Sequence, residues 1–190
     1  MNWKIFVTSP PLDSPRPPWY ASPRKRKGGE DIAKVMLLCG KICSGKTTYC
    51  NRLRERERAV LLSCDEVESR LFHQSLGDRH DAVAADIKGY LRQKAAEIAA
   101  AGCSVVLDWG FWTRAERADT SRFFQDQGVP YEWHYIAVSP EAWQRNIAAR
   151  NAAVLAGETR DYYVDEGLLA KIQAAFEPPA REEMDFWYQG

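Results

Sequence analysis

The sequence has no long apolar run and no excess of charge. No segment of the 190 residues approaches the about 20 apolar residues that span a membrane, and the first residues contain no apolar signal-peptide core. The 26 Lys and Arg residues balance the 26 Asp and Glu residues, which argues against a large nucleic-acid footprint. We therefore expect a cytoplasmic protein with no membrane partner, formed by one domain with a sizeable core.

Cysteine and histidine are also scarce. The five cysteines include no C-x-x-C pair, and their odd number leaves one unpaired in any disulfide scheme, so reduced thiols are expected. Cys43 and Cys64 lie in segments with candidate functional residues, and we hypothesise that their oxidation inhibits the protein. His73 and His80 are seven residues apart without a partner cysteine, which favours a surface or pocket role over a metal site.

The first 30 residues differ in composition from the rest. Six prolines fall between positions 10 and 23, and the basic run Arg24-Lys25-Arg26-Lys27 follows them. Such a segment cannot supply a packed core, so residues 1–30 are predicted to form a disordered tail before a domain at 31–190. The basic run could contact nucleic acid or an acidic partner, although a solvated leader is the simpler interpretation.

From about residue 33, predicted strands and helices alternate. Apolar runs predict strands near 34–39, 59–63, 105–108 and 131–138, and helical patterns follow at about 45–56, 78–101, 113–128, 139–157 and 165–176. The terminal Asp185-Phe186-Trp187-Tyr188 fits either a short fifth strand or a packed aromatic tail. This α/β alternation predicts a parallel sheet with helices on both faces and ligands at the carboxyl ends of the strands.

The first strand leads into a phosphate-binding motif. The pattern G-x-x-x-x-G-K-[ST] is matched in full, and the predicted nucleotide-binding residues are Gly40, Lys41, Ile42, Cys43, Ser44, Gly45, Lys46, Thr47 and Thr48. The glycines allow the backbone to approach a polyphosphate, and the following helix offers its positive N-terminus. Lys46 is predicted to reach the β- and γ-phosphates, and Thr47 to hold Mg²⁺. The alternative is a glycine-bounded turn with a surface lysine.

Two carboxylates follow the next two predicted strands. Asp65 comes after strand two and Asp108 ends strand three, so both should meet the phosphate-binding loop in one crevice. Asp108 is predicted to contribute to the Mg²⁺ site, and Asp65 to contact the acceptor and remove a proton from its hydroxyl. The alternatives are a helix cap for Asp65 and a turn residue for Asp108.

Two pairs of arginines are candidates for charge stabilisation. Arg145 and Arg150 lie on one predicted helix before a glycine-containing break, like the catalytic arginines of a lid that closes over a nucleotide. Arg114 and Arg117 follow Asp108 and are candidates for binding the acceptor. Ordinary surface arginines are the alternative for both pairs.

Three aromatic residues surround the end of strand three. Trp109, Phe111 and Trp112 could form the wall of a pocket for a planar or sugar-like acceptor. Packing in the core is the default role of aromatic side chains, and both interpretations remain open from the sequence.

These segments together resemble a known family. The loop at 40–48, the sequence Ser63-Cys64-Asp65-Glu66 and the segment from Leu107 to Arg117 are similar to the small AAA-domain and zeta-toxin-like P-loop kinases. Polynucleotide 5′-hydroxyl kinases and antibiotic O-phosphotransferases are similar. The resemblance covers about residues 33–180. It implies the strand order 2-3-1-4-5, MgATP as phosphoryl donor, Asp65 as base and a short lid from Arg145 to Arg150.

The resulting expectation is a magnesium-dependent kinase. It would transfer the γ-phosphate of ATP to a hydroxyl of a small molecule or of a nucleic-acid end. The alternatives are a simple ATPase and a nucleotide-dependent switch that acts on a protein partner, although no segment that would respond to the γ-phosphate is evident.

Overall fold

The structure is a computed structural model that describes residues 32–72, 76–159 and 161–189. The predicted tail at 1–30 and His73 lie outside these ranges. Ile32 begins the compact unit that contains all of the described residues. Among the helices that are described, none is both long and apolar enough to cross a bilayer.

Five strands and six α-helices alternate along this unit. The strands are β1 (Val35–Cys39), β2 (Val60–Ser63), β3 (Val105–Gly110), β4 (Tyr131–Ala137) and β5 (Phe186–Gln189). The helices are α1 (Lys46–Glu57), α2 (Cys64–Phe72), α3 (His80–Ala100), α4 (Arg114–Asp126), α5 (Pro140–Leu155) and α6 (Glu166–Ala175). Short 3₁₀ turns at Gly77–Arg79 and Arg181–Glu183 precede α3 and β5.

The strands form one parallel sheet in the order β2-β3-β1-β4-β5. This confirms both the predicted fold class and the strand order that the resemblance implies. β1 lies in the centre, and each of its five residues is completely buried. The carboxyl end of β1, where the phosphate-binding loop begins, is therefore flanked by neighbouring strands on both sides.

The two faces of β1 bury separate clusters of side chains. Val35, Leu37 and Cys39 pack in the larger cluster, which includes residues of α3 and α4. Met36 and Leu38 point the other way and pack against α1. This period of two with apolar residues on both faces is the pattern of a central parallel strand covered by helices on each side.

The C-terminal segment that begins at Asp185 forms the edge strand β5. Asp185 fixes its start: the carboxylate accepts a hydrogen bond from the Trp133 backbone N–H at 2.7 Å, and its own N–H donates to the Trp133 carbonyl at 3.0 Å. Phe186, Trp187 and Tyr188 then pair with β4 and remain partly exposed along the edge of the sheet. The segment is a fifth strand rather than an aromatic tail.

Candidate active site

The loop between β1 and α1 has the backbone geometry that its glycines predict. Gly45 adopts a left-handed conformation, with φ of 92°, immediately before α1 begins at Lys46. A Cβ on Gly40 would lie 2.9 Å from Ser44 Oγ and 3.0 Å from the Ile136 carbonyl oxygen. Position 40 therefore needs glycine for space, and position 45 needs glycine for its left-handed conformation.

The loop encloses the side chain of Lys46. Its ammonium donates hydrogen bonds to the carbonyl oxygens of Lys41 at 2.7 Å and of Gly40 at 3.1 Å. Burial lowers the pKa of Lys46, and the negative charges of Asp108 and Asp65 oppose this shift. The two carbonyl groups are neutral hydrogen-bond acceptors, whereas a phosphate oxygen in the loop would give the Lys46 ammonium group a negatively charged partner.

The surroundings of the loop fit a polyphosphate. The first N–H groups of an α-helix have no acceptor within the helix, and no side chain caps the start of α1. A Cβ on Gly45 would meet no atom within 4 Å, and Thr47 and Thr48 are exposed in the same cleft, whose volume is about 680 Å³. Ser44 Oγ is buried without a hydrogen-bond partner among the described residues. Open space, free donors and helix polarity together favour an anion here.

Asp65 and Asp108 both line this cleft. Asp108 lies in β3, in register with Ser63 at the end of β2, and Asp65 lies in the first turn of α2. The hydroxyl of Ser63 accepts a hydrogen bond from the Glu66 N–H at 3.3 Å, so Ser63, and not Asp65, caps α2. This geometry removes the helix-cap alternative for Asp65 and leaves its carboxylate open to the cleft.

The protein environment of the two carboxylates favours their neutral forms. Enclosure by the cleft walls raises the pKa of both Asp65 and Asp108, and the ammonium group of Lys46 acts in the opposite direction on each. Although Asp65 is open to solvent on the cleft side, its backbone and neighbours remove much of its hydration. A carboxylate with a raised pKa is a better proton acceptor than an ordinary surface aspartate.

Residues that suit a magnesium ion are present, but they do not form a site made of protein ligands alone. Within the described ranges there is no group of three or more His, Cys, Asp or Glu side chains able to hold a metal ion. Mg²⁺ commonly binds through one or two protein oxygens together with phosphate oxygens and water. Thr47 and Asp108, which line the same cleft, fit this mode of binding.

One face of α5 holds the phosphate-binding loop in place. The indole N–H of Trp143 donates to the Ile42 carbonyl at 2.7 Å, and the Asn146 amide donates to the Cys43 carbonyl at 2.9 Å. Arg150 Nη1 lies 3.7 Å from the Cys43 sulfur. Trp143 and Asn146 are not among the residues predicted from the sequence. Their spacing of i, i+3 and i+7 with Arg150 defines one helix face and is the signal that would have identified them.

The two predicted lid arginines lie in different environments. Arg150 lines the cleft, forms an ion pair with Asp161 at 3.4 Å and stacks over the ring of Tyr162 at 4.5 Å. Arg145 is exposed on α5 and does not line this cleft. Five residues on a helix correspond to a rotation of about 140°, so the two side chains cannot share one face. The structure therefore does not bring Arg145 to the position expected from the sequence.

Arg114 and Arg117, the residues expected to bind the acceptor, lie outside the phosphate cleft and line a separate pocket of about 690 Å³. Arg117 is buried, and its guanidinium donates to Glu183 Oε2 at 2.8 Å and to the carbonyl oxygens of Phe111 and Glu177 at 3.2 and 3.1 Å. Arg114 is exposed, and its Nε lies 3.6 Å from Glu183. These contacts connect α4 to the segment before β5 and give Arg117 a structural role.

The three aromatic residues at the end of β3 and just after it follow the core-packing alternative. Phe111 is completely buried, and its ring lies 4.7 Å from Trp109 and 4.9 Å from Trp133, measured between centroids. Trp109 belongs to the same core cluster, and Trp112 packs partly buried against it. None of the three lines the phosphate cleft.

Comparisons with known proteins agree with this geometry. The AAA domain family model matches residues 35–179, from the start of β1 to beyond α6. No protein of curated function gave a match.

Solved structures share the fold at low sequence identity. The Mycobacterium tuberculosis APS kinase, determined with AMPPNP and APS, has a TM-score of 0.60 and 18% identity over 83% of this chain and 88% of that one. A gluconokinase from Sinorhizobium meliloti has a TM-score of 0.53 and 13% identity over 83% and 82% of the two chains. A chain of the Pnkp1/Rnl/Hen1 RNA repair complex has a TM-score of 0.61 and 15% identity over 84% of this chain and 49% of that one. The chain belongs to the AAA domain family and is built on the fold of the small P-loop kinases.

Proposed function

We propose that the protein is a magnesium-dependent phosphotransferase that transfers the γ-phosphoryl group of ATP to a hydroxyl group. The observation that carries this proposal is the position of Asp65. Its carboxylate lines the phosphate cleft and also a second pocket of about 490 Å³ that opens beside it. A simple ATPase needs no second pocket for an acceptor, whereas a kinase must place a hydroxyl next to the γ-phosphate.

Asp65 is proposed to act as the general base. The acceptor oxygen forms a bond to the γ-phosphorus, its proton passes to the Asp65 carboxylate, and the bond from that phosphorus to the bridging oxygen breaks. ADP leaves with the electron pair of the broken bond. The raised pKa of Asp65, caused by burial in the cleft, brings its basicity closer to the working pH than that of a surface aspartate.

Cationic groups would stabilise the charge that develops on the transferred group. Lys46 is proposed to exchange its two loop carbonyl partners for oxygens of the β- and γ-phosphates. Arg150 lines both the cleft and the second pocket, which supports a contact with the phosphoryl group during transfer. Mg²⁺, held through Thr47 and Asp108, would neutralise charge on the phosphates.

The experiment that tests this function measures ADP release on addition of hydroxyl-bearing acceptors, with ATP and with GTP as donors. Asp65→Asn is expected to lower acceptor-dependent turnover by a factor of ~10² or more while MgATP affinity is retained. The matched control is Glu66→Gln, because Glu66 is the next residue on α2 and lines the same cleft, but its carboxylate pairs with Arg70 at 2.9 Å. Slow ADP release that no acceptor stimulates would instead support an ATPase or a switch.

A further inference from the structure

The side chain of Lys41 lies on the outer side of the phosphate-binding loop. Lys41 follows Gly40 in the sequence motif, which predicts a nucleotide-binding role for it. Its neighbours Ile42 and Cys43 line the phosphate cleft, but Lys41 does not. The Lys41 carbonyl oxygen accepts the 2.7 Å hydrogen bond from the ammonium group of Lys46. Lys41 therefore contacts the proposed phosphate-binding cation through its backbone, while its own cation lies elsewhere.

Two aromatic rings hold the ammonium group of Lys41. Its Nζ lies 4.7 Å from the centre of the Trp143 ring and 5.6 Å from the centre of the Phe176 ring. Both distances fall within the about 6 Å over which the face of an aromatic ring attracts an ammonium group. Trp143 and Phe176 are both buried, and removal of water strengthens this attraction relative to an exposed pair.

The two rings belong to different parts of the chain. Trp143 is on α5, and its indole N–H already donates to the Ile42 carbonyl. Phe176 is the residue that follows α6, so it ends the segment that we call the α6 segment, residues 164–176. Neither ring lines the phosphate cleft. Lys41 thus connects the loop to the α6 segment as well as to α5.

The next loop residue packs on the same segment. Ile42 is buried in a cluster with Val164 and Ile172 of the α6 segment. Asn151 of α5 holds Val164, because its side-chain amide donates to the Val164 carbonyl at 2.9 Å and accepts from the Val164 N–H at 2.8 Å. The outer side of the loop therefore rests on the α6 segment through one apolar contact and one cationic contact.

We propose that Lys41 is a positioning residue of the nucleotide site. Its ammonium group, held between Trp143 and Phe176, fixes the backbone of the loop, and the α6 segment thereby supports nucleotide binding from outside the cleft. This inference rests on the proposed function, because it requires that the loop binds the phosphates of ATP. An ordered loop presents its N–H groups to phosphate with little further loss of conformational entropy, whereas a loop released from Lys41 would lose that entropy on binding.

Calorimetry of the full chain with MgATP tests the role of the Lys41 charge. Lys41→Met keeps most of the apolar stem but removes the charge, and it is expected to weaken MgATP binding about fivefold. Lys41→Arg should restore the affinity to within about twofold of the wild type, because a guanidinium group is also attracted to aromatic rings. The matched control is Lys171→Met, which removes the same charge from the exposed surface of α6 and should bind MgATP as the wild type does.

A double-mutant cycle separates positioning from a direct contact between Lys41 and phosphate. Phe176→Leu keeps an apolar side chain but removes the ring. If the Lys41 charge acts through this ring, the loss of MgATP affinity in the double variant should be smaller than the product of the two single losses by at least about twofold. Multiplicative losses would show that Lys41 acts independently of Phe176, as a direct phosphate ligand would.

The coupling must also act in the opposite direction, because linkage between two sites is reciprocal. Saturating MgATP should slow hydrogen exchange of the α6 amide groups in the wild type and in Lys171→Met. The protection should be smaller in saturated Lys41→Met. A role of Lys41 in the fold alone would change the exchange rates without nucleotide, but not the response to MgATP.

Failure of this inference and failure of the proposed function give different results. The role of Lys41 would be overturned, with the kinase function intact, by unchanged MgATP affinity in Lys41→Met, by multiplicative losses in the cycle, or by α6 exchange that does not respond to MgATP in the wild type. Absence of MgATP binding by the wild type would remove the kinase function and, with it, the inference.

Discussion

Replacement of Arg117 by methionine tests whether this residue holds the structure together or binds the acceptor. The guanidinium is 2% exposed and contacts Glu183 and two backbone carbonyl groups at 2.8–3.2 Å. Methionine keeps much of the side-chain volume but removes the charge, these three hydrogen bonds and a fourth to the Trp112 carbonyl at 3.4 Å. Loss of a buried ion pair, with acceptors left without partners, is expected to destabilise the fold by about 3 kcal/mol. For a domain of this size that corresponds to a decrease in Tm of roughly 6–12 °C.

Urea unfolding followed by tryptophan fluorescence measures this change, and Arg114→Met is the matched control. Arg114 is 69% exposed and lies 3.6 Å from the same carboxylate, so its replacement should alter stability by less than about 0.5 kcal/mol. Below its unfolding temperature, Arg117→Met should have the acceptor KM of the wild type. A loss of stability under about 1 kcal/mol combined with a raised acceptor KM would refute this reasoning and restore Arg117 as a binding residue.

Three further predictions concern the phosphate cleft. Burial raises the pKa of Asp108, so ionisation of this carboxyl group destabilises the fold as the pH rises above the ordinary aspartate value of 3.8. Asp108→Asn should therefore raise Tm at pH 7, and this gain in Tm should shrink toward acidic pH. A lower Tm of Asp108→Asn at pH 7 would contradict the raised pKa of Asp108. Trp143→Phe removes the indole N–H that donates to the Ile42 carbonyl and helps to hold the phosphate-binding loop. Loss of this hydrogen bond, at ~1 kcal/mol, should weaken MgATP binding by about fivefold in calorimetry. An unchanged Kd would show that Trp143 does not support nucleotide binding. Acceptor-dependent turnover should increase with pH as Asp65 ionises, and the midpoint of this increase should lie above pH 3.8 because the pKa of Asp65 is raised. The increase should be absent in Asp65→Asn.

The sequence predicted the parts of the fold that depend on local patterns. Buried strands and the glycine-bounded loop each leave a signal within a few residues. The helix starts predicted near 113, 139 and 165 coincide with the residues whose side chains cap α4, α5 and α6, which are Thr113, Ser139 and Asp165. The residue that caps α2 could not be predicted from the sequence, because Ser63 and Asp65 are both good capping residues and only the backbone path selects between them.

Contacts between distant parts of the chain explain the remaining differences. Arg117 follows Asp108 closely in the sequence, but its partners Glu177 and Glu183 lie at least 60 residues further on, and no local pattern connects them. The strand β5 likewise depends on the pairing of Asp185 with Trp133. Its four residues are too few for periodicity to distinguish a strand from a packed tail.

The predicted place of Arg145 beside Arg150 in a lid differs from the structure for another reason, which helix geometry applied to the sequence could have revealed. A helix rotates about 100° per residue, so Asn146, and not Arg145, shares a face with Arg150. Application of that spacing to α5 would have identified Trp143 and Asn146 as the residues that hold the loop.

Isothermal titration calorimetry of the full chain with MgATP measures whether the loop between Gly40 and Lys46 binds a nucleoside triphosphate, on which the proposed kinase function depends. We expect saturable binding of one nucleotide per chain, and at least about tenfold weaker binding by a folded Lys46→Ala variant. Absence of binding heat with both MgATP and MgGTP, supported by unchanged thermal stability on their addition, or equal affinity of Lys46→Ala and the wild type, would contradict this expectation.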